Sequence, residues 1–115
     1  MESLKLLNAI DDYQAEAKRT LADDNDLTGL TLGLVGEAGE FADAVKKLCY
    51  HSVTVFGKRE VDFLTHAEEE MGDVLWYLAN LCNYLGLSLD TVARKNLEKL
   101  EARYPQGFIR GGGIR

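Results

Sequence analysis

The chain has 115 residues, 46 % apolar and 28 % charged, with a formal net charge of −6 and a pI near 4.8. These values describe one soluble globular domain able to bury roughly two-thirds of its unfolded surface, and they exclude a disordered chain. They also exclude a general binder of nucleic acid polymers or anionic membranes, since such surfaces need a basic excess.

No run of 18 apolar residues is present, and the start "MESLKLLNAI" lacks the apolar core of a signal peptide, so a cytoplasmic protein is expected. Leu4, Leu7, Ile10, Ala17 and Leu21 predict a first helix over about residues 3–22. The turn formers of "ADDNDLTG" end it, and Thr28 is the predicted N-cap of a second helix over about 29–50. Its Leu30, Leu34, Phe41, Val45 and Leu48 share an arc of about 60°. Residues 51–64, "HSVTVFGKREVDFL", lose the helical period and read as a loop with β character at "VTVF".

Thr65 followed by Glu68 matches a capping box and predicts the start of a third helix. Met71, Val74, Leu75, Leu78, Leu81, Cys82 and Leu85 then form its apolar face, with Gly86 as the stop. Trp76 and Ala79 spread apolar character round more than half of this helix, which must then be covered on two sides. A homodimer or homotetramer is therefore expected. Ser88 caps a fourth helix running to about Tyr104, where Pro105 and Gly107 end it. Residues 1–108 read as one all-α domain, a four-helix bundle, and 109–115 as a flexible tail. Cys49 and Cys82 are read as reduced core thiols.

The chemistry lies in two acidic pairs. Glu37 and Glu40 in "GLVGEAGEFADAVKK" are spaced i, i+3, with Glu37 inside the apolar arc and Glu40 at its border. Glu70 and Asp73 repeat the spacing at the edge of the third helix's apolar face. One such pair alone is an ordinary solvated helix face, and "EEEMGD" alone could be an acidic first turn that favours the helix dipole. Two pairs bordering apolar stripes, on helices that pack together, would bring four carboxylates to one seam. Their repulsion and desolvation call for a hard divalent cation, above all Mg²⁺ with Mn²⁺ as a substitute. A di-iron bundle would need Glu-x-x-His motifs, which neither His51 nor His66 supplies. On the fourth helix Asn96, Lys99 and Arg103 share a face, readable as a solvated stripe or, beside a carboxylate–cation cluster, as a phosphate-binding set.

"GLVGEAGEFADAVKK" followed by "EEEMGDVLWYLANLCNYLGLSLDTVARKNLEKLEARYPQGF" resembles the MazG-type all-α nucleoside triphosphate pyrophosphohydrolases over about residues 30–108. The resemblance implies Mg²⁺ ligands at Glu37, Glu40, Glu70 and Asp73. It implies substrate-side residues at Asn96, Lys99 and Arg103, and contacts from Tyr77 and Lys47. It further implies cleavage of a nucleoside triphosphate between its α and β phosphates by an activated water. Glu37 or Glu40 would then be the general base, and Lys99 and Arg103 would stabilise the leaving pyrophosphate. Two departures stand out: Gly36 replaces the first glutamate of the family's E-E-x-x-E, and the basic residue some members carry before the second cluster has only His66 near it. A phosphoribosyl-ATP-type pyrophosphohydrolase and a non-catalytic helical module are the alternatives.

Overall fold

The computed structural model describes residues 10–51 and 60–108. Within them run four α-helices: α1 (Ile10–Lys18), α2 (Leu27–Lys46), α3 (Glu60–Leu85) and α4 (Leu89–Arg103), with a π-helical turn at Lys47–His51 after α2. The all-α expectation holds. Among the described residues the only β feature is an isolated bridge between Pro105 and Gly107. Leu4 and Leu7, the "VTVF" piece and the 109–115 tail lie outside the described residues.

Several helix ends differ from the sequence expectation. α1 stops at Lys18 because the amides of Arg19, Thr20 and Leu21 bond to carbonyls three residues back, tightening the chain out of the helix. α2 is capped by Asp26, not Thr28: the Asp26 carboxylate accepts from the Gly29 amide at 2.8 Å, so Thr28 is already helical. α3 begins at Glu60, so Thr65 is an interior helical residue and the capping box does not form; residues 60–64, expected as loop, are helix.

The corner between α3 and α4 follows the sequence closely. Gly86 takes φ 71°, and the Leu87 amide donates to the Cys82 carbonyl at 2.8 Å, which closes the helix end over a left-handed residue. Ser88 Oγ then accepts from the Thr91 amide at 3.1 Å and starts α4.

Packing is centred on α3. α1 lies across one side, burying Ala17 against Ala79, Cys82 and Leu89, with Tyr13 and Trp76 packed on that cluster. α2 runs along another side in the most extensive helix–helix interface among the described residues. There Gly33 sits beneath the Tyr77 ring: a Cβ at position 33 would fall inside the ring, 2.8 Å from its hydroxyl, so glycine sets how closely the two helices approach.

A chain of hydrogen bonds fixes α1 on α3 and α4. Asn80, fully buried, donates to the Ala17 carbonyl at 3.2 Å and accepts from Asn83 at 2.9 Å. Gln14 Nε2 donates to Asn83 Oδ1 and to the Leu87 carbonyl, both at 2.9 Å, while Gln14 Oε1 accepts from the Leu89 amide at 2.7 Å. Trp76 Nε1 donates to Thr20 Oγ1 at 2.7 Å.

The expected apolar face of α3 is split. Cys82 is buried and Val74 and Leu81 are half-buried, but Met71, Leu75 and Leu78 are 54 %, 41 % and 40 % exposed and Leu85 is exposed too. Trp76 and Ala79, read as the surplus flank, are instead covered by α1. Cys49 is exposed on the π turn rather than in the core; only Cys82 is a core thiol, its pKa raised by burial.

Candidate metal centre

α2 and α3 bring three of the four predicted carboxylates together. Oxygens of Glu37, Glu70 and Asp73 all lie within 4.8 Å of one another. Asp73 is exposed, Glu37 half-buried and Glu70 only 8 % exposed. The i, i+3 spacing puts Glu70 and Asp73 one turn apart on α3, and the helix packing set by Gly33 and Tyr77 brings Glu37 of α2 against them.

Oε2 of Glu37 and Oε2 of Glu70 are both buried and have no hydrogen-bond partner. Buried acceptors are nearly always paired, and two ionised carboxylates facing one another offer no donor at all. The cost appears in the acidity of Glu37, whose pKa is pushed up from 4.5 to about 7. The leading cause is the hydrogen bond that its protonated form makes to Glu70; burial, Glu40 and the charge of Asp73 add to it. In the ion-free protein the facing carboxylates therefore favour holding a proton between the two helices. A divalent cation would replace it. Glu37, Glu70 and Asp73 would offer such an ion an all-oxygen donor set, the kind that hard divalent cations prefer.

Glu40 is exposed and near enough to Glu37 to help raise its pKa, and it also lies on the wall of a cleft of about 260 Å³ lined by Asp43, Ala44, Lys47, His66 and Glu70. Lys47 is bonded to Asp43 at 2.9 Å. His66 Nε2 lies 3.6 Å from Glu70 Oε1. Tyr77, half-buried, packs on Gly33 and meets the Trp76 ring edge-on at 4.9 Å. A Cβ at Gly36 would meet nothing within 4 Å, so the missing glutamate leaves open space rather than a filled one.

Asn96 and Lys99 are exposed and Arg103 is half-buried. α4 is anchored at its start, where Leu89 is buried, and is exposed at every position from 94 to 102. Within one chain the cationic stripe thus lies on a helix that is not packed along the carboxylate helices.

A family model of the MazG nucleotide pyrophosphohydrolase domain matches residues 26–108, well over half of the chain. This chain belongs to the MazG family. The match takes in both acidic pairs and the α4 stripe. The Gene 37 protein of Mycobacterium phage L5 is 41 % identical over 112 residues, covering 90 % of this chain and 96 % of the phage protein. No solved structure matches.

Two features of this MazG domain were beyond sequence reasoning. Tyr13 of α1 stands close enough to the centre for the charge of Asp73 to add to burial in raising its phenol pKa. The cleft beside Glu70, with His66 in its wall, is the other. Only the i, i+4 spacing of His66 and Glu70 could have hinted at it.

Proposed function

We propose that this chain hydrolyses nucleoside or deoxynucleoside triphosphates between the α and β phosphates, releasing a monophosphate and pyrophosphate. The observation that carries the reading is the pair of buried, partnerless carboxylate oxygens of Glu37 and Glu70 beside Asp73. Orphaned acceptors of this kind fit a cation site better than a structural hydrogen-bond network.

Glu37, Glu70 and Asp73 would hold Mg²⁺, with Glu40 at the open side, and Mn²⁺ could substitute. The bound ion supplies charge neutralisation and Lewis acidity toward phosphate oxygens. The protein's own part is to hold the carboxylates in place: α2 and α3 fix them from two sides, at the spacing that Gly33 and Tyr77 set. An oxygen of Glu37 or Glu40 left free by the ion would take a proton from the attacking water. Lys99 and Arg103 would meet the leaving pyrophosphate, with Asn96, Lys47 and Tyr77 as further substrate contacts.

The assembly completes the reading. Met71, Leu75 and Leu78 form an exposed apolar ridge, and α4 adds exposed Val92, Leu97 and Leu100. Pairing of chains would cover both and would let one subunit's elements close over another's nucleotide, in a cytoplasmic homodimer or homotetramer. Light scattering at micromolar concentration checks this, and a clean mass near 12.8 kDa would refute it.

The catalytic reading is tested by separating products from a panel of NTPs, dNTPs and phosphoribosyl-ATP, with Mg²⁺ and with EDTA. Monophosphate and pyrophosphate in equal amounts, lost in EDTA, are expected. Orthophosphate release, or no turnover of any member, would overturn it, and the latter would favour a regulatory helical module.

A further inference from the structure

Glu70 faces two ways. Its Oε2 lies in the carboxylate centre without a partner, while its Oε1 looks toward His66, one turn earlier on α3. The Nε2–Oε1 separation of 3.6 Å is beyond the usual hydrogen-bond length of about 2.9 Å, yet a small rotation of either side chain closes it. His66 is half-buried and forms part of the cleft wall with Glu40, Asp43 and Lys47. Within that wall Lys47 is engaged by Asp43, which leaves the imidazole as the group set against Glu70.

We propose that His66 is a positioning residue for Glu70: its Nε2–H holds the outer carboxylate oxygen so that the inner one is aimed at the cation site. The proposal rests on the reading of Glu37, Glu70 and Asp73 as ligands and adds a residue to it. The physical reason is the geometry of a carboxylate. An ion between the helices binds one oxygen best when the other is fixed by a donor, because a free carboxylate turns about its last bond and loses alignment. Outer partners of this kind are worth about 10- to 100-fold in metal affinity or activity. The imidazole serves in any form in which Nε2 carries its hydrogen. No charge on it is required.

The test uses the full chain and Mn²⁺ as the probe, with affinity measured by calorimetry in the absence of nucleotide. His66→Leu should weaken Mn²⁺ binding about 10-fold or more. His66→Gln, whose amide N–H reaches a similar place, should recover most of that loss. In turnover assays His66→Leu should lower kcat at saturating Mn²⁺ with little change in KM for the nucleotide. If leucine disturbs the helix, as circular dichroism would reveal, His66→Ala takes its place in the same comparison. Parent-like Mn²⁺ affinity in the leucine or alanine variant overturns the proposal. So does a glutamine variant as weak as the leucine one, which would make the imidazole itself a ligand. A raised KM with unchanged kcat would place His66 on the substrate instead and also overturn it. If the parent binds Mn²⁺ but cleaves no nucleotide, the functional reading falls while the His66 comparison still decides this one; if the parent binds no Mn²⁺, both fall.

Discussion

Two polar clusters, around Asn80 and around Glu70, sit on α3 roughly three turns apart, and they are built on opposite rules. Around Asn80 every polar group is answered: Asn80, Asn83 and Gln14 bond to one another and to the carbonyls of Ala17, Gln14 and Leu87. Around Glu70 the centre is built of carboxylates, and two of their buried oxygens have no hydrogen-bond partner. The first arrangement is complete and fixes α1 in place. The second is completed only by a proton or a cation. Satisfied networks hold a fold, and an orphaned one of a single sign marks where the fold expects something else to bind.

Substitutions should separate the two clusters. Glu70→Gln should reduce turnover by several orders of magnitude while helical content stays intact, because it removes a ligand charge and also relieves repulsion. Turnover within a few-fold of the parent would show that the orphaned cluster has no role in the reaction. Lys99→Ala and Arg103→Ala should each lower kcat/KM by roughly 2–4 kcal/mol in transition-state stabilisation, if each meets phosphate as charge develops. Parent-like kinetics in both would return the α4 stripe to a solvated surface.

The network should behave in the contrary way. Asn80→Ala removes a donor from the Ala17 carbonyl and a partner from Asn83, and should cost about 1–3 kcal/mol in stability. Mn²⁺ affinity per folded molecule should be unchanged, as calorimetry below the melting range would report. A smaller contrast should appear with pH in the ion-free protein. Glu37 binds its proton more tightly folded than unfolded, so its contribution is full below about 4.5 and is lost as pH rises through about 7. Melting temperatures in EDTA should therefore decline across that window, and Glu37→Gln should flatten the decline.

The same contrast explains what was legible in the sequence. Gly86 and Ser88 gave away the α3–α4 corner because a left-handed glycine and a hydroxyl cap act through bonds within a few residues. Glu37, Glu70 and Asp73 stood out because carboxylates on apolar borders have few structural uses. Thr65 misled: a capping box works only if the residues before it leave the helix, and here Asp62, Phe63 and Leu64 continue it. Asn80 was invisible because its partners lie far off in the chain, Ala17 being 63 positions away. That Glu40 lies outside the tight group of the other three carboxylates while still helping to raise the pKa of Glu37 was equally hidden, since it depends on how α2 and α3 cross and not on spacing within either helix.

If the orphaned carboxylates are a cation site that holds a proton in the absence of the ion, cation binding must expel that proton. Calorimetric titration of Mg²⁺ at pH 6 and pH 8, in buffers of different ionisation enthalpy, tests it most directly. Saturable binding is expected, with net proton release at pH 6, below the raised pKa of Glu37, and almost none at pH 8. Binding without any pH-dependent proton release, or no binding at either pH, would contradict it.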